Sequence, residues 1–295
     1  MTFKLMTALV TPLNKNKSIN ISQMIKLIRY QQDNGVENIV LFGTTGEGSL
    51  IPLKQKIKAF KKIKKSFSNV NFYIAISHMS SITSVDEIKK WNKFDIKGYL
   101  VLTPYYISTN SKGLFKYYKN INSVSKHDII IYQVKKRTGQ DMTSFIVNDL
   151  SSLNKVIGIK YAMTFNEVKN LKENVIKEDF KIYLGNDDQL IDGLDIGVDG
   201  IISVASNIIP KYINEIIEAY TSISRDKAKL MYREIEHFIS LLFKEVNPLG
   251  VKYVLSLKKN IDEYYLDPLF GLSYETKVKI KEEYEGLNYE IKNCW

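Results

Sequence analysis

One lysine lies in an otherwise apolar run, KVIGIKYA at residues 155–162, and it is the first candidate for chemistry. The run is typical of a buried strand, and Lys160 lies near its end. Burial removes the hydration that stabilises the charged form of a lysine, and a neutral amine can attack a carbonyl carbon to form a Schiff base. Two other interpretations of Lys160 stay open at this point: a side chain that extends to solvent, or a structural ion pair.

Three further groups follow apolar runs and could serve the same chemistry. GTTGE at 43–47 combines two hydroxyls with backbone N–H groups in a tight turn, which suits a carboxylate or a phosphate. Tyr132 ends another apolar run, where a phenol could transfer protons. Arg137 is one of only four arginines in the chain, and its position soon after Tyr132 suggests recognition of a second carboxylate. Each group is weak evidence alone, because Gly/Thr turns and tyrosines at the rim of a fold are often structural.

The composition excludes several classes of protein. The 295 residues are 44% hydrophobic, enough for one large domain, and they contain no apolar run of the roughly 18 residues that a membrane span needs. The N-terminal apolar stretch is too short for a signal peptide. Cys294 is the only cysteine, and His78, His127 and His237 lack metal-ligand spacing. We therefore expect a cytoplasmic protein without a metal.

The net charge of +10 comes almost entirely from lysines, which are 38 of the 42 basic residues and are spread along the chain. Recognition of phosphates and bases favours arginine, and no basic block alternates with aromatic residues. The charge therefore indicates solubility, and we expect no nucleic-acid or membrane partner.

Eight short apolar runs alternate with amphipathic segments of helical spacing, and the runs begin about every 20 to 35 residues. Continuous apolar runs are typical of strands buried on both faces of a parallel sheet. No GxGxxG follows any run, which makes an open doubly wound sheet the weaker alternative. The pattern predicts an α/β fold, a (β/α)₈ TIM barrel over residues 1–222, with a C-terminal helical segment over 223–295 that packs on the barrel or on a partner subunit. The predicted strands are 7–12, 38–43, 72–76, 98–104, 128–133, 156–162, 181–185 and 200–206.

The order and spacing of these motifs, from TALVTPL at residue 7 to NPLGVK at 247–252, resemble a family of pyruvate-dependent Schiff-base aldolases. This family includes dihydrodipicolinate synthase and N-acetylneuraminate lyase. The resemblance implies that no cofactor is needed beyond a covalent imine between pyruvate and the lysine. It assigns catalytic roles to Lys160, Tyr132, Thr44 and Tyr106, and substrate-binding roles to Thr45, Arg137, Gly185 and Ile202. It also implies that Tyr106 reaches the site of a neighbouring subunit, so that the protein is at least a dimer, with a tetramer favoured.

Within the family, GTTGE together with RTG resembles the synthase branch. That branch condenses pyruvate with aspartate semialdehyde to 4-hydroxytetrahydrodipicolinate, on the route to diaminopimelate and lysine. The residues at 133–136 are Gln-Val-Lys-Lys, where the synthase pattern has Asn-Val-Pro-Gly, and the added charges could favour a more anionic acceptor. An N-acetylneuraminate lyase or another 2-keto-3-deoxy sugar acid aldolase, and a catalytically silent barrel, stay open as alternatives. Leu53 and Ser80 replace the His and Asn of feedback-regulated members, so we expect weak or absent inhibition by lysine.

Overall fold

Within residues 3–292, which the computed structural model describes, eight parallel strands form one closed barrel in chain order. Cys294 lies outside the described residues. The closed barrel with helices between its strands confirms the (β/α)₈ fold expected from the sequence. The strands β1 to β8 are Lys4–Ala8, Asn38–Leu41, Asn71–Ile76, Gly98–Leu102, Asp128–Gln133, Val156–Tyr161, Lys181–Leu184 and Gly200–Ser203.

The first strand begins and ends earlier than predicted, at Lys4–Ala8 instead of 7–12. Lys4 already takes part in the barrel, because its N–H donates to the carbonyl of Asp199 at 3.0 Å. The chain leaves the ladder soon after Ala8, where the Val10 N–H donates to the side chain of Asn207 at 3.0 Å. Of the other seven strands, β5 coincides with its predicted range, and six overlap their predicted positions and differ only at their ends.

Helices connect the strands and continue beyond the last one, and local sequence explains where several of them begin. Asn20 and Asn110 accept a backbone N–H with their side chains at 3.0 Å each, and Thr164 forms a capping box with Glu167. In the described part of the chain, helices α1 to α13 are Ile21–Asp33, Leu53–Lys64, Ser81–Trp91, Ser111–Val124, Lys135–Thr138, Ser144–Ser151, Phe165–Asn174, Leu190–Asp195, Pro210–Glu218, Arg225–Leu242, Leu249–Leu257, Tyr274–Gly286 and Tyr289–Lys292.

Two compact units make up the chain. One contains Asn71–Ile202, and its largest fully buried side chains are Trp91, Tyr99 and Tyr118. The other contains Leu5–Val70 and the chain from Ser203 onward, with Phe60 and Phe238 among its fully buried side chains. The predicted boundary at residue 222 stays a prediction. No helix within residues 3–292 combines the length and the apolar character that crossing a membrane requires.

A fully buried polar network fixes the first strand within the second unit. The Thr7 hydroxyl donates to Gln31 of α1 at 2.6 Å and lies 2.8 Å from the Ser206 hydroxyl. The Gln31 amide donates to the Ser206 carbonyl at 2.9 Å. Because buried polar groups are stable only when they are paired, this network ties β1 and α1 to the segment that follows β8.

Candidate active site

Lys160 and Tyr132 are partners in the parallel pairing of β5 and β6. Both side chains are buried, at 4% and 8% exposure, and the Lys160 Nζ lies 4.9 Å from the centroid of the Tyr132 ring. The amine has no hydrogen bond or ion pair with any of residues 3–292. Lys160 therefore neither extends to solvent nor forms a structural ion pair within the described chain. Its nitrogen forms no hydrogen bond to a carboxylate or carbonyl oxygen of that part of the chain.

The residue after Lys160 belongs to the opposite face of the strand. The Tyr161 side chain is buried, and its hydroxyl donates to the Met142 carbonyl at 2.8 Å. Since successive side chains alternate across a strand, this bond fixes the orientation of Lys160 on the other face. Burial raises the pKa of the Tyr161 phenol to about 12, so this phenol stays protonated and keeps donating at neutral pH.

Gly185 follows β7 directly and allows the ends of two strands to come unusually close. A Cβ atom at this position would lie 2.4 Å from the Cβ of Ala162, which is the second residue after Lys160. Only glycine fits this approach without a shift of the backbone. Ile202, the other expected lining residue in this unit, is fully buried in β8. The geometry is compatible with the lining roles of both residues, which stay predictions.

Arg137 lies on the exposed turn of helix α5, Lys135–Thr138. Gly139 ends this turn with a left-handed φ of 68°. Lys135 forms an ion pair with Asp141 at 2.5 Å, so one of the two added lysines already has a carboxylate of the same loop as its partner. Gln133, in the place of the family's Asn, is fully buried and donates to the Gln140 carbonyl at 2.6 Å. The altered loop thus forms an ordered turn, and Arg137 is accessible there.

Tyr106 lies in the loop after β4 with 88% of its surface exposed. Its backbone is left-handed, with a φ of 69°, an uncommon conformation for a residue with a side chain. The next residue, Ile107, is 62% exposed and apolar. Such a surface is suited to a neighbouring subunit, and the role of Tyr106 in a shared site stays a prediction.

In the second unit, the turn at residues 43–48 carries Thr44 and Thr45. We call it the Thr–Thr turn. The Gly48 N–H donates to the Gly43 carbonyl at 3.0 Å, and a Cβ at Gly48 would lie 1.6 Å from the Phe42 carbonyl oxygen, so the turn requires glycine there. Thr45 is buried, and its hydroxyl oxygen accepts from the Asn247 amide at 3.0 Å. The hydroxyl hydrogen of Thr45 is therefore available to donate to a ligand.

Sequence reasoning missed a buried ion pair beside the same turn. The Nζ of Lys252, in α11, lies 2.5 Å from the Glu47 carboxylate, and neither side chain is exposed to solvent. Burial lowers the pKa of the Lys252 ammonium, and the Glu47 carboxylate opposes that effect. A signal was present in the sequence, because Lys252 interrupts the apolar helix LGVKYVLSL much as Lys160 interrupts an apolar strand.

Among residues 3–292, no three His, Asp or Glu side chains come together in an arrangement that could hold a metal ion.

A closed barrel with a buried lysine beside a tyrosine near the carboxyl end of a strand is compatible with an enzyme that forms a Schiff base. The family follows from comparison with known proteins. The model of the dihydrodipicolinate synthetase family matches residues 1–285, and the chain belongs to this family of pyruvate-dependent, aldolase-like enzymes.

Individual relatives agree with this assignment. The 4-hydroxy-tetrahydrodipicolinate synthase of Alkaliphilus oremlandii is 32% identical over 289 residues, which cover 95% of this chain and 97% of the relative. The crystal structure of the dihydrodipicolinate synthase of Thermotoga maritima superposes with a TM-score of 0.91 at 28% identity and covers 97% and 98% of the two chains. The enzyme of Acinetobacter baumannii, crystallised with pyruvate, gives a TM-score of 0.91 at 26% identity over 96% and 98%.

Proposed function

We propose that this protein condenses pyruvate with aspartate semialdehyde to 4-hydroxytetrahydrodipicolinate through a Schiff base at Lys160. The observation that carries the proposal is the buried, uncommitted amine of Lys160 beside Tyr132. Synthases of this name at about 30% identity over most of the chain support the choice of reaction within the family.

In the proposed reaction, the Lys160 amine attacks the ketone carbon of pyruvate, and water leaves as the imine forms. Loss of a methyl proton gives an enamine, whose carbon attacks the aldehyde carbon of the semialdehyde. The amino group of the semialdehyde then attacks the imine carbon, which closes the ring and releases the Lys160 amine. Both the loss of water and the ring closure need protons moved at the reacting centre. Proton transfer is the role proposed for Tyr132, with Thr44 and with Tyr106 of a neighbouring subunit.

Binding of the substrates is assigned to different residues from the proton transfer. The Thr45 hydroxyl and backbone N–H groups of the Thr–Thr turn would hold the pyruvate carboxylate, and the free hydroxyl hydrogen of Thr45 supports this role. Arg137 would hold the carboxylate of the semialdehyde, with the fork of donors that suits a carboxylate. Gly185 and Ile202 would line the pocket around the imine.

One observation favours a different acceptor within the same chemistry. Lys136 has no hydrogen bond or ion pair within the described chain, beside the exposed Arg137. An acceptor with more negative charge, such as a phosphorylated sugar aldehyde, could use both groups. A 2-keto-3-deoxy sugar acid aldolase is therefore the second candidate.

The assembly and location of the protein belong to the same proposal. A homo-oligomer, at least a dimer, follows if Tyr106 completes a neighbouring site, and a tetramer fits the family resemblance. The proposed substrates are small and soluble, so the protein would work in the cytoplasm. We propose that it has no nucleic-acid or membrane partner and needs no metal. Inhibition by lysine would be weak or absent.

The test is borohydride trapping of the purified protein with pyruvate, followed by mass spectrometry and by turnover with each acceptor. We expect one adduct on Lys160, none in Lys160→Ala, and an unchanged adduct in Lys155→Ala, which removes a lysine just before the same strand. Fast turnover with aspartate semialdehyde, and none with N-acetylmannosamine or with a phosphorylated sugar aldehyde, is the expected result. An adduct on another lysine, or no adduct, would refute the assignment of Lys160, and turnover with the sugar alone would establish the second candidate.

A further inference from the structure

We infer that Lys252 and Glu47 are positioning residues for the Thr–Thr turn, and that the segment 247–266 is part of the framework of the active site. The inference rests on the proposed function, because the role of the turn in binding the pyruvate carboxylate comes from it. It assigns the C-terminal helices a function beyond packing.

The contacts of Glu47 carry the inference. One carboxylate oxygen accepts from the Lys252 Nζ at 2.5 Å, and the other accepts from the Leu266 N–H at 2.7 Å. The Lys252 Nζ also donates to the Tyr264 carbonyl at 2.6 Å and lies 5.2 Å from the centroid of the Tyr265 ring. Glu47 is thus held at both carboxylate oxygens by one segment, and that segment also holds the Lys252 ammonium.

The backbone of Glu47 shows why this anchoring affects the turn. Glu47 has a left-handed φ of 52°, and its N–H donates to the Thr44 carbonyl at 3.1 Å. A non-glycine residue keeps this conformation only when its surroundings determine it. The Asn247 amide holds the Thr45 hydroxyl oxygen from the same C-terminal segment. Two side chains of this segment therefore hold Thr45 and Glu47, the residues on either side of Gly46.

The charges predict an asymmetry that a purely structural pair would not show. Without Lys252, Glu47 keeps a buried negative charge two residues from Thr45, where the proposed function places the carboxylate of pyruvate. This charge would repel the substrate and draw the turn out of position. Without the charge of Glu47, the remaining ammonium would not repel a carboxylate. Loss of Lys252 should therefore weaken pyruvate binding more than loss of the Glu47 charge.

The test compares Lys252→Met, Glu47→Gln and the double variant in the full-length protein. We expect Lys252→Met to raise the KM for pyruvate about tenfold or more, with kcat changed less than about threefold, because uniform binding is lost. Glu47→Gln should raise this KM only about two- to threefold, and the double variant should recover most of the loss seen in Lys252→Met. Lys279→Met is the control, since Lys279 pairs with Glu275 at 2.6 Å within α12, outside the segment 247–266, and its kinetics should be unchanged.

Several outcomes would overturn the inference. Any of three results would show that the pair has only a structural role. The first is a pyruvate KM within twofold of wild type in Lys252→Met, the second is equal effects of the two single variants, and the third is no recovery in the double variant. If Lys252→Met does not fold, the double variant decides alone: it must fold and bind pyruvate within about threefold of Glu47→Gln. A wild-type protein that forms no pyruvate adduct would instead refute the proposed function, which the trapping experiment detects separately.

Discussion

A single added methyl group at Gly185 tests whether the close approach of β6 and β7 sets the position of Lys160. The new Cβ would lie 2.4 Å from the Ala162 Cβ, 2.6 Å from its Cα and 2.9 Å from its backbone nitrogen. None of these atoms belongs to a flexible side chain that could rotate away. Since carbon atoms pack at about 3.5–4.0 Å, the two strand ends must separate by roughly 1 Å.

This separation has two measurable consequences. Overpacking of a buried site costs about 1–3 kcal/mol, and contacts with backbone atoms place Gly185→Ala near 3 kcal/mol, or a fall in Tm of roughly 5 °C for a chain of this length. Ala162 follows Lys160 by two residues, so the separation also moves the strand end that carries the amine. A misplacement of about 1 Å can reduce a rate about 100-fold, and we expect a loss of this size in kcat/KM.

The assay combines steady-state kinetics with calorimetric unfolding, and Gly286→Ala is the matched control. Gly286 is the last residue of α12, and a Cβ there would meet nothing within 4 Å. The control should keep full activity and should be neutral or slightly more stable, because alanine favours helices by about 1 kcal/mol over glycine. If Gly185→Ala kept its kcat/KM within threefold and its Tm within about 2 °C, the strand ends would be more tolerant than the geometry implies.

Three further predictions concern the acceptor, the core and the pH dependence of stability. Arg137→Ala should raise the KM for aspartate semialdehyde about tenfold or more, since a charged hydrogen bond contributes about 1.5–3 kcal/mol, and should leave pyruvate trapping unchanged. An unchanged KM would exclude Arg137 from acceptor binding. Thr7→Val should cost about 1–3 kcal/mol in denaturant unfolding by leaving a buried acceptor without its donor, whereas Thr7→Ser should cost less; equal losses would contradict this. Hydrogen bonds from Thr276 and Ser273 lower the pKa of Glu245 from its usual 4.5, so its contribution to stability is present at neutral pH and is lost as the pH falls through the lowered value. Glu245→Gln should accordingly lower Tm at pH 7 and match wild type in acid, and a difference that does not change with pH would refute this.

The strand pattern and the lysine–tyrosine pair could be predicted from the sequence. Strands buried on both faces have no polar alternation, so the eight apolar runs were easy to recognise, and a barrel places consecutive strands side by side. Tyr132 and Lys160 lie on consecutive strands, and the pairing of these two residues confirms that they are neighbours. The end of β1 was misplaced because Leu9 and Val10 continue the apolar run after the ladder has ended.

Contacts between distant segments could not be predicted from the sequence. Glu47 and Lys252 are 205 residues apart, and Thr45 and Asn247 are 202 apart. No periodicity encodes such pairs, because they depend on how the helices after the eighth strand pack. The left-handed backbone of Tyr106 could not be predicted either, since tertiary context and not residue type determines it.

The separation between Glu47 and Lys252 has a consequence for synthesis on the ribosome. The ribosome adds about 5–20 residues per second to a growing chain. When β8 has been made, Lys252 and Leu266, the hydrogen-bond partners of Glu47, have not yet been synthesised. The Thr–Thr turn can therefore reach its final conformation only several seconds later, after α11 has emerged and packed. If the turn holds the pyruvate carboxylate as proposed, a nascent chain with all eight strands would contain Lys160 and yet bind pyruvate poorly until the C-terminal helices have emerged and packed.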